Sequence, residues 1–299
     1  MTHHTVRLMG GLGNQMFQYA FARRIAHASG EPVHLDTHHG FNRDDRGRRL
    51  ALDAFNTTMI PASLDDVPAG MGWGSPWHRV ARAAWSALPA AAQRVRYERQ
   101  QFQYDAAAIA PARPSYYFGY WQHPAYFDVI ADSLRRDFQL RSPLSGGARD
   151  LAQEMAGTPS ISVHVRSYLD VGVDGRVISQ AQAHHGTCSP DFYRQAIERL
   201  ANGKDSVCYV FADNVEWAKT RLQLQVPCRY VADLVRCSDA EELTLMAACR
   251  HHVISNSTFS WWGAWLGSNA DKVVIAPKTW IRSLAPDAVD ICPKDWVRV

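Results

Sequence analysis

The sequence predicts an α/β fold in two halves, each a parallel β-sheet covered by helices. Two observations lead to this prediction. Short β-branched and apolar runs alternate with stretches of helical spacing, and a stretch rich in Pro, Gly and Ser, residues 140–158, separates the two halves. We therefore predict two Rossmann-like lobes, residues 1–150 and residues 151–299, with a cleft between them.

The first half opens with a strand, a turn, a helix and a second strand. Residues 6–9 form an apolar run that predicts a buried strand, residues 10–13 predict a turn, and residues 15–28 have helical spacing. A second strand is predicted over residues 32–35 and stops at Asp36. These elements predict one βαβ unit.

The second half shows the same alternation more regularly. A strand is predicted at residues 160–165, and Ser189 with Pro190 predicts a helix start, because Ser is a good N-cap and Pro fits the first helical position. Ligands of open parallel sheets bind at the carboxyl ends of the strands, so residues that end strands are the candidates for a site. Further strands are predicted at residues 206–212, 229–232, 252–255 and 272–276, and helices at residues 190–200, 214–224 and 240–249 and from about residue 259.

Composition and charge narrow the classes of function. The 299 residues carry 32 basic and 29 acidic side chains, a net charge of +3, which does not favour binding to nucleic acid. The six cysteines include no C-x-x-C pair, and the sequence has neither a signal-peptide core nor a run of about 18 apolar residues. We therefore expect a cytoplasmic enzyme with free thiols. A basic amphipathic helix within residues 77–96 predicts a solvated surface, with peripheral membrane contact as the alternative.

The glycine turn in "GGLGNQMFQYA" shares features with a dinucleotide-binding turn. Gly11 and Gly13 precede a helix, and Asp36 ends the next strand at about the spacing used for a ribose. A methionine, however, stands where such a turn has its third glycine, and Asn14 and Gln15 place two amides at the helix start. Amides and free backbone N–H groups suit a sugar phosphate or a hydroxyl-rich ligand, and a plain tight turn is the alternative.

Two further strand ends carry charged side chains. "SVHVRSYLD" places His164 and Arg166 two residues apart at a strand end, so both point to the same side. The arginine fork binds phosphate oxygens and can neutralise a departing diphosphate without a metal, and a salt bridge between the lobes is the alternative. Asp213 ends another strand and predicts either an acceptor for a nucleobase or ribose hydroxyl or the N-cap of the next helix.

The last candidate segment is "SNSTFSWWGAW". Ser257, Thr258 and Ser260 follow Asn256 at a predicted helix start, where orphan N–H groups and the macrodipole favour an anion. Its tryptophans predict core packing rather than a ligand stack. No D-x-D pair or His/Asp/Glu cluster in the sequence indicates a Mg²⁺ or Mn²⁺ site, so we expect no metal and a diphosphate bound by Arg166, hydroxyls and helix ends.

Together these segments resemble the bacterial α-1,2-fucosyltransferases of glycosyltransferase family 11. The resemblance runs over nearly the whole chain, with residues 62–100 matching weakly. It implies a GT-B fold with two Rossmann-like lobes, GDP-fucose bound mainly by the second and the acceptor mainly by the first. It also implies metal-independent, inverting transfer of L-fucose from GDP-β-L-fucose to the 2-hydroxyl of a terminal β-galactoside. The segments that carry it are "GGLGNQMFQYA", "YYFGYWQHPAYF", "HVR", "FYRQAI", "VFADNVEW" and "LMAACRHHVISNSTFSWWGAWL".

The resemblance implies roles for particular residues. Arg166 would hold the β-phosphate, and His164 and Asp213 would lie near the guanosine. The remaining substrate-binding residues, near the fucose and its diphosphate, would be Gly11, Gly13, Asn14, Gln15, Asn256, Ser257, Thr258 and Ser260.

The sequence departs from the family pattern beside this arginine. Ser167 stands where the family has a second arginine, and the acid that follows comes later, at Asp170. Asp170 is our candidate base, with Asp174 as the runner-up, and Arg166 and Asn14 complete the catalytic set. We expect a lactose-like or lipid-linked glycan acceptor. An NAD-dependent dehydrogenase and a nucleotide-sugar-binding module without turnover stay open as alternatives.

Overall fold

The computed structural model divides the chain into two compact units, Met1–Gln139 and Leu140–Val299. The predicted boundary after residue 150 falls inside the helix Gly146–Gly157. Leu151 and Met155 of this helix pack on the core of the second unit, which is why the whole helix belongs there. The structure describes residues 2–42, 44, 46–68, 78–88, 93–110, 113–168, 184–201 and 205–299.

The first unit is built on a parallel sheet whose described strands have the order β3-β2-β1-β5-β4. The central strand is fully buried, because apolar side chains cover both faces of the sheet. The strands are β1 (His4–Arg7), β2 (Val33–Asp36), β3 (Ile60–Pro61), β4 (Val95–Tyr97) and β5 (Tyr116–Phe118).

Helices pack on this sheet and confirm the predicted βαβ unit. The helix after β1 begins at Leu12, so Asn14 lies within its first turn, and it ends where Gly30 adopts a left-handed φ of 73°. The segment "YYFGYWQHPAYF" begins with β5 and leads through a turn toward the helix Ala131–Asp137. The basic helix predicted within residues 77–96 is also present, and its Val80 is 57% exposed. The helices are α1 (Leu12–Ser29), α2 (His78–Ala87) and α3 (Ala131–Asp137).

The second unit holds a parallel sheet with the order β11-β10-β9-β6-β7-β8 among its described strands. The two central strands β6 and β9 carry the buried residues Ile161, Val163 and Val253 of its core. With both sheets parallel and covered by helices, the predicted α/β fold class is confirmed. The strands are β6 (Ser160–Val165), β7 (Val207–Ala212), β8 (Cys228–Tyr230), β9 (His251–Val253), β10 (Val274–Ala276) and β11 (Val297–Arg298).

The helices of the second unit follow the predicted alternation closely. Ser189 caps the helix that begins at Pro190, and its side chain accepts from the N–H of Phe192. The strand predicted at residues 229–232 is wrong at its end, because the chain turns into a helix at Val231. The helices are α4 (Gly146–Gly157), α5 (Pro190–Leu200), α6 (Val215–Arg221), α7 (Val231–Leu234), α8 (Asp239–Ala248) and α9 (Thr258–Leu266).

Helix α9 is a core helix whose carboxyl end is held by a lysine. Trp261 and Trp262 are fully buried, which confirms that these tryptophans form core. The Nζ of Lys272 donates to the carbonyls of Ala264 at 2.8 Å and Gly267 at 2.6 Å, and also to that of Trp265. The last carbonyls of a helix lack intrahelical partners and carry the negative end of its dipole. Lys272 therefore fixes the carboxyl end of α9.

We expect Lys272→Met to lower the free energy of unfolding by about 1–2 kcal/mol, because the aliphatic stem stays while the charged donor is lost. Chemical denaturation measures this change. Lys278→Met, which removes an exposed lysine of the same unit, is the control and should stay within about 0.5 kcal/mol of the parent. Equal losses from both substitutions would contradict the capping role of Lys272.

Candidate active site

Arg166 and Asp213 leave the second sheet side by side. Strands β6 and β7 pair in parallel, with Val165 opposite Ala212, so the next residue of each strand stands at the same edge. Nη1 of Arg166 lies 3.1 Å from Oδ2 of Asp213, and the two side chains are 27% and 17% exposed. A half-buried guanidinium with a fixed carboxylate partner thus stands at the carboxyl end of the sheet.

The carboxylate of Asp213 is engaged by its neighbours within the protein. The backbone N–H of Ser167 donates to Oδ1 at 2.8 Å, and the hydroxyl of Ser167 donates to Oδ2 at 3.0 Å. Asp213 is not the helix N-cap either, since Asn214 takes that position and accepts from the N–H of Trp217. The geometry indicates that Asp213 orients Arg166, and its predicted position near the guanosine stays a prediction.

Tyr168 holds the residues after β6 in an unusual conformation. Its φ is +54°, a left-handed value that non-glycine residues rarely adopt. The Tyr168 hydroxyl donates to the carbonyl of Asn256 at 2.5 Å, and its ring stacks on His185 at 4.8 Å. The Cζ atom of Arg166 lies 5.3 Å from the centre of the Tyr168 ring. These contacts offset the conformational cost and add a second constraint on the arginine.

His164 is a buried, neutral side chain beneath this cluster. Its Nδ1 lies 2.7 Å from the Ser255 hydroxyl, and its ring lies 5.9 Å from that of Phe259. Burial, with the nearby charge of Arg166, lowers the pKa of His164 to about 3. The uncharged ring of His164 is 6% exposed and packs beside Ser255. Its predicted contact with the guanosine stays a prediction.

Asn256 serves as a strut between backbone segments. It is 4% exposed, and its Nδ2 donates to the carbonyls of His185 at 3.0 Å, Gly186 at 2.9 Å and Trp280 at 3.1 Å. With its amide donor engaged by three carbonyls, Asn256 positions the chain around the site. Its predicted role in substrate binding stays a prediction.

The start of α9 exposes two of the three predicted hydroxyl residues. Ser257 and Thr258 are half-buried, and Ser257 makes no side-chain capping hydrogen bond. Ser260 is 1% exposed, and its hydroxyl donates to the carbonyl of Ser257. The first turn of α9 therefore lies next to Tyr168 and Asn256 with its N–H groups uncapped by the Ser257 side chain, an arrangement suited to an anion.

The glycine turn of the first unit separates two amides with different roles. Gln15 is fully buried. Its Nε2 donates to the carbonyls of Gly10 and Arg49, and its Oε1 accepts from the N–H of Ala51. Gln15 therefore ties the turn to the loop at residues 49–51, and its predicted substrate contact stays a prediction. Asn14 is only half-buried and stays a candidate for substrate contact.

The two glycines assigned to substrate contact occupy different places in this turn. Gly11 is the N-cap of α1 and is half-buried, and its carbonyl accepts from the N–H groups of Asn14 and Gln15. Gly13 is buried within the first turn of α1. Of these two, Gly11 offers backbone at the surface.

Asp36 lacks the exposure that a dinucleotide-binding acid needs. It is 2% exposed, and its carboxylate accepts from the hydroxyl of Tyr116 at 2.6 Å and from the N–H groups of His38 and His39. Burial alone would raise its pKa, but these hydrogen bonds hold the pKa below its usual value. Asp36 organises its own loop, which removes the main support for a dehydrogenase.

The carboxylate of Glu98, which is half-buried in the first unit, is not among the predicted site residues. Glu98 follows β4 and accepts from the backbone N–H of Tyr120 at 2.8 Å and of Trp121 at 3.0 Å. Burial raises the pKa of Glu98 to about 7, although these hydrogen bonds favour the ionised form. No residue pattern around Glu98 signals this contact, because its partners are backbone groups more than 20 residues away.

Other predicted features concern the rest of the chain. Asp170 and Asp174, the candidate bases, lie outside the described residues. The six cysteines are all free thiols. Within the described ranges, no group of three His, Cys, Asp or Glu residues could hold a metal ion. Nor does any helix there have the length and apolar character needed to cross a membrane.

The parallel sheets define an α/β protein, with Arg166 as its candidate anion-binding residue, and comparison with known proteins gives the family. The family model described as glycosyl transferase family 11 matches residues 82–299. The chain belongs to this family.

Two curated relatives from Escherichia coli match nearly the whole chain. An alpha-1,2-colitosyltransferase is 29% identical over 98% of this chain and 97% of its own. The O-antigen biosynthesis glycosyltransferase WbnK is also 29% identical, over 91% of this chain and 93% of its own. Among solved structures, the fucosyltransferase NodZ from Bradyrhizobium is 15% identical with a TM-score of 0.48, over 88% of this chain and 92% of that chain.

The raised pKa of Glu98 predicts a pH-dependent stability. Because the folded protein holds this proton more tightly than the unfolded chain, the contribution of Glu98 is fully present below about pH 4.5 and is lost as the pH rises to about 7. We expect the parent to lose up to about 3 kcal/mol relative to Glu98→Gln across this range.

Denaturation curves of parent and variant at several pH values measure the slope, which is independent of any constant difference between them. Glu198→Gln, at an exposed position, is the control and should run parallel to the parent. A Glu98→Gln curve parallel to the parent would show that Glu98 does not bind a proton on folding.

Proposed function

We propose that the chain transfers L-fucose from GDP-β-L-fucose to the 2-hydroxyl of a terminal β-galactoside, with inversion and without a metal. Membership of glycosyltransferase family 11 supports a sugar-transfer reaction. The name of the alpha-1,2-colitosyltransferase relative supports a 1,2 linkage. The observation that carries the proposal is the Arg166 guanidinium, held by Asp213 at the carboxyl end of a parallel sheet beside the amino end of helix α9.

Arg166 is the group proposed to receive the charge of the departing nucleotide. Its guanidinium is fixed by the carboxylate of Asp213 and by the ring of Tyr168, so it needs little rearrangement when charge develops on the β-phosphate. The amino end of helix α9, which begins at Thr258, adds the positive end of its dipole to the same region. Donors already in place stabilise a developing charge better than donors that must reorient.

The transfer itself is one displacement with a balanced exchange of bonds. The galactose 2-hydroxyl oxygen forms a bond to C1 of fucose while the bond from C1 to the GDP oxygen breaks, and the hydroxyl proton passes to a base. Asp170 is the proposed base. Asn14 of the first unit is proposed to donate a hydrogen bond to an oxygen of the donor sugar or its phosphates.

The acceptor is proposed to be a lactose-like or lipid-linked glycan on the cytoplasmic side. The WbnK relative is named for O-antigen biosynthesis, which supports a surface polysaccharide unit as the natural acceptor. Peripheral membrane contact through α2 stays a prediction, and the exposed Val80 on that helix is consistent with it.

Colitosyl transfer is the second candidate, because the alpha-1,2-colitosyltransferase relative matches almost all of this chain. Colitose is L-fucose without its 3-hydroxyl. A site that hydrogen-bonds this hydroxyl leaves its own polar groups unpaired when colitose binds, whereas a site shaped for colitose has no partner for the hydroxyl. The two donors therefore separate the two candidates.

We expect the purified chain to release GDP and form fucosyl-lactose from GDP-fucose in the presence of EDTA. The ratio of kcat/KM between GDP-fucose and GDP-colitose should exceed about 100 if the site reads the 3-hydroxyl. A reversed ratio would assign colitosyl transfer. Binding of GDP-fucose without GDP release on a panel of galactosides would leave a binding module, and activity lost to EDTA would contradict transfer without a metal.

We expect Arg166→Ala to lower kcat/KM for the donor by at least about 100-fold, close to 3 kcal/mol of barrier. Arg166→Lys should fall between this variant and the parent, because it keeps the charge but loses the planar fork. Arg229→Ala is the matched control. Arg229 lies on β8, an edge strand of the same sheet, and pairs with Glu154 of α4. Near-parental rates for Arg166→Ala, with an unchanged melting temperature, would remove Arg166 from the reaction.

A further inference from the structure

The aromatic turn, residues 119–126 between β5 and α3, contacts α1 at three points. Nε2 of Gln122 donates to Oδ1 of Asn14 at 2.9 Å, and Nε2 of Gln18 donates to the carbonyl of Gly119 at 3.3 Å. The ring of Trp121 stacks on that of Phe21, with centres 4.1 Å apart and planes 5° apart. These contacts link the aromatic turn to the helix that carries Asn14.

This turn is held in place without the help of Asn14. Trp121 has a φ of +56°, and Glu98 accepts from the backbone N–H groups of Tyr120 and Trp121. Gly119 is required because a Cβ there would lie 2.4 Å from Cβ of Glu98. Gln122, which is 4% exposed, is therefore carried on a rigid backbone.

The hydrogen bond from Gln122 fixes the orientation of the Asn14 side-chain amide. Because Nε2 of Gln122 is a donor, it selects the Oδ1 end of Asn14. The Nδ2 end lies over Gly10, whose φ is +80° and where a Cβ would approach Nδ2 to 2.6 Å. Gly10 thus leaves room for this orientation, and the amide of Asn14 presents its N–H end toward the glycine turn.

We propose that Gln122 is a positioning residue of the transfer reaction, acting by holding the amide of Asn14 with its donor end toward the substrate. This inference rests on the proposed function, in which Asn14 donates to an oxygen of the sugar nucleotide. Gln122 itself touches no substrate. Its proposed effect passes through the hydrogen bond to Oδ1 of Asn14, while its own Oε1 accepts from Nε2 of Gln101 at 3.5 Å.

Gln122→Glu separates hydrogen bonding from packing, because glutamate has nearly the same shape but its carboxylate cannot donate to Oδ1 of Asn14. We expect Gln122→Ala and Gln122→Glu each to lower kcat about tenfold, with KM for GDP-fucose changed by less than about threefold. Gln139→Ala, at an exposed position of the same unit, is the control and should keep the parental rate. Parental kcat in Gln122→Glu would overturn the proposal.

A double-mutant cycle tests whether Gln122 acts through Asn14. The double variant Asn14→Ala/Gln122→Ala should be no slower than Asn14→Ala within about twofold, whereas multiplied losses would show that Gln122 acts on its own. Melting temperatures of all variants identify any loss from unfolding.

The side-chain amide signals of Asn14 in ¹⁵N NMR give a readout that does not depend on transfer. Gln122→Glu should shift both amide protons and speed their exchange with solvent, and Gln139→Ala should not. Unchanged Asn14 signals in Gln122→Glu would overturn the proposal even if the parent transfers fucose. Shifted signals in an inactive parent would instead locate the failure in the proposed function.

Discussion

The parallel register of β6 and β7 is the constraint on which the candidate site depends. Because Val165 stands opposite Ala212, the next residues, Arg166 and Asp213, meet at the sheet edge. A half-buried guanidinium beside a carboxylate keeps little net positive charge, so a diphosphate there needs further positive groups. The amino end of α9, beginning at Thr258, adds the positive end of a helix dipole at this edge. In the proposed reaction, Arg166 and this helix dipole would together balance the charge of the diphosphate.

The first unit has three side-chain amides near the start of α1, and they differ in burial and in hydrogen-bond partners. Gln15 and Gln18 are fully buried and bind backbone groups, so they fix the glycine turn against the loop after it and against the aromatic turn. Asn14 lies in the same helical turn but is only half-buried and bonds to another side chain. Three similar side chains at the start of one helix thus divide into two supports and one group able to reach a ligand.

Much of this architecture is predictable from the sequence, because strand and helix patterns and the Ser189 cap are local signals. The α/β class and the strand Ser160–Val165 follow from them. Which polar residues are available to a ligand is not local. The contacts of Asp213 with Ser167 and of Asn256 with the His185 carbonyl are not predictable from the sequence. The contacts of Tyr168, Gln122 and Glu98 are not predictable either, since left-handed backbone and distant hydrogen-bond partners leave no sequence pattern. The predicted cleft between the lobes stays a prediction.

Arg166, paired with Asp213, is proposed to bind the terminal phosphate of the nucleotide. A crystal structure of the chain with GDP tests this most directly. The account predicts the β-phosphate within hydrogen-bonding distance of the Arg166 guanidinium, with its contact to Asp213 intact and the first turn of α9 facing the same phosphate. GDP bound with its β-phosphate out of reach of Arg166, or an Arg166 side chain turned away from Asp213 toward solvent, would contradict it.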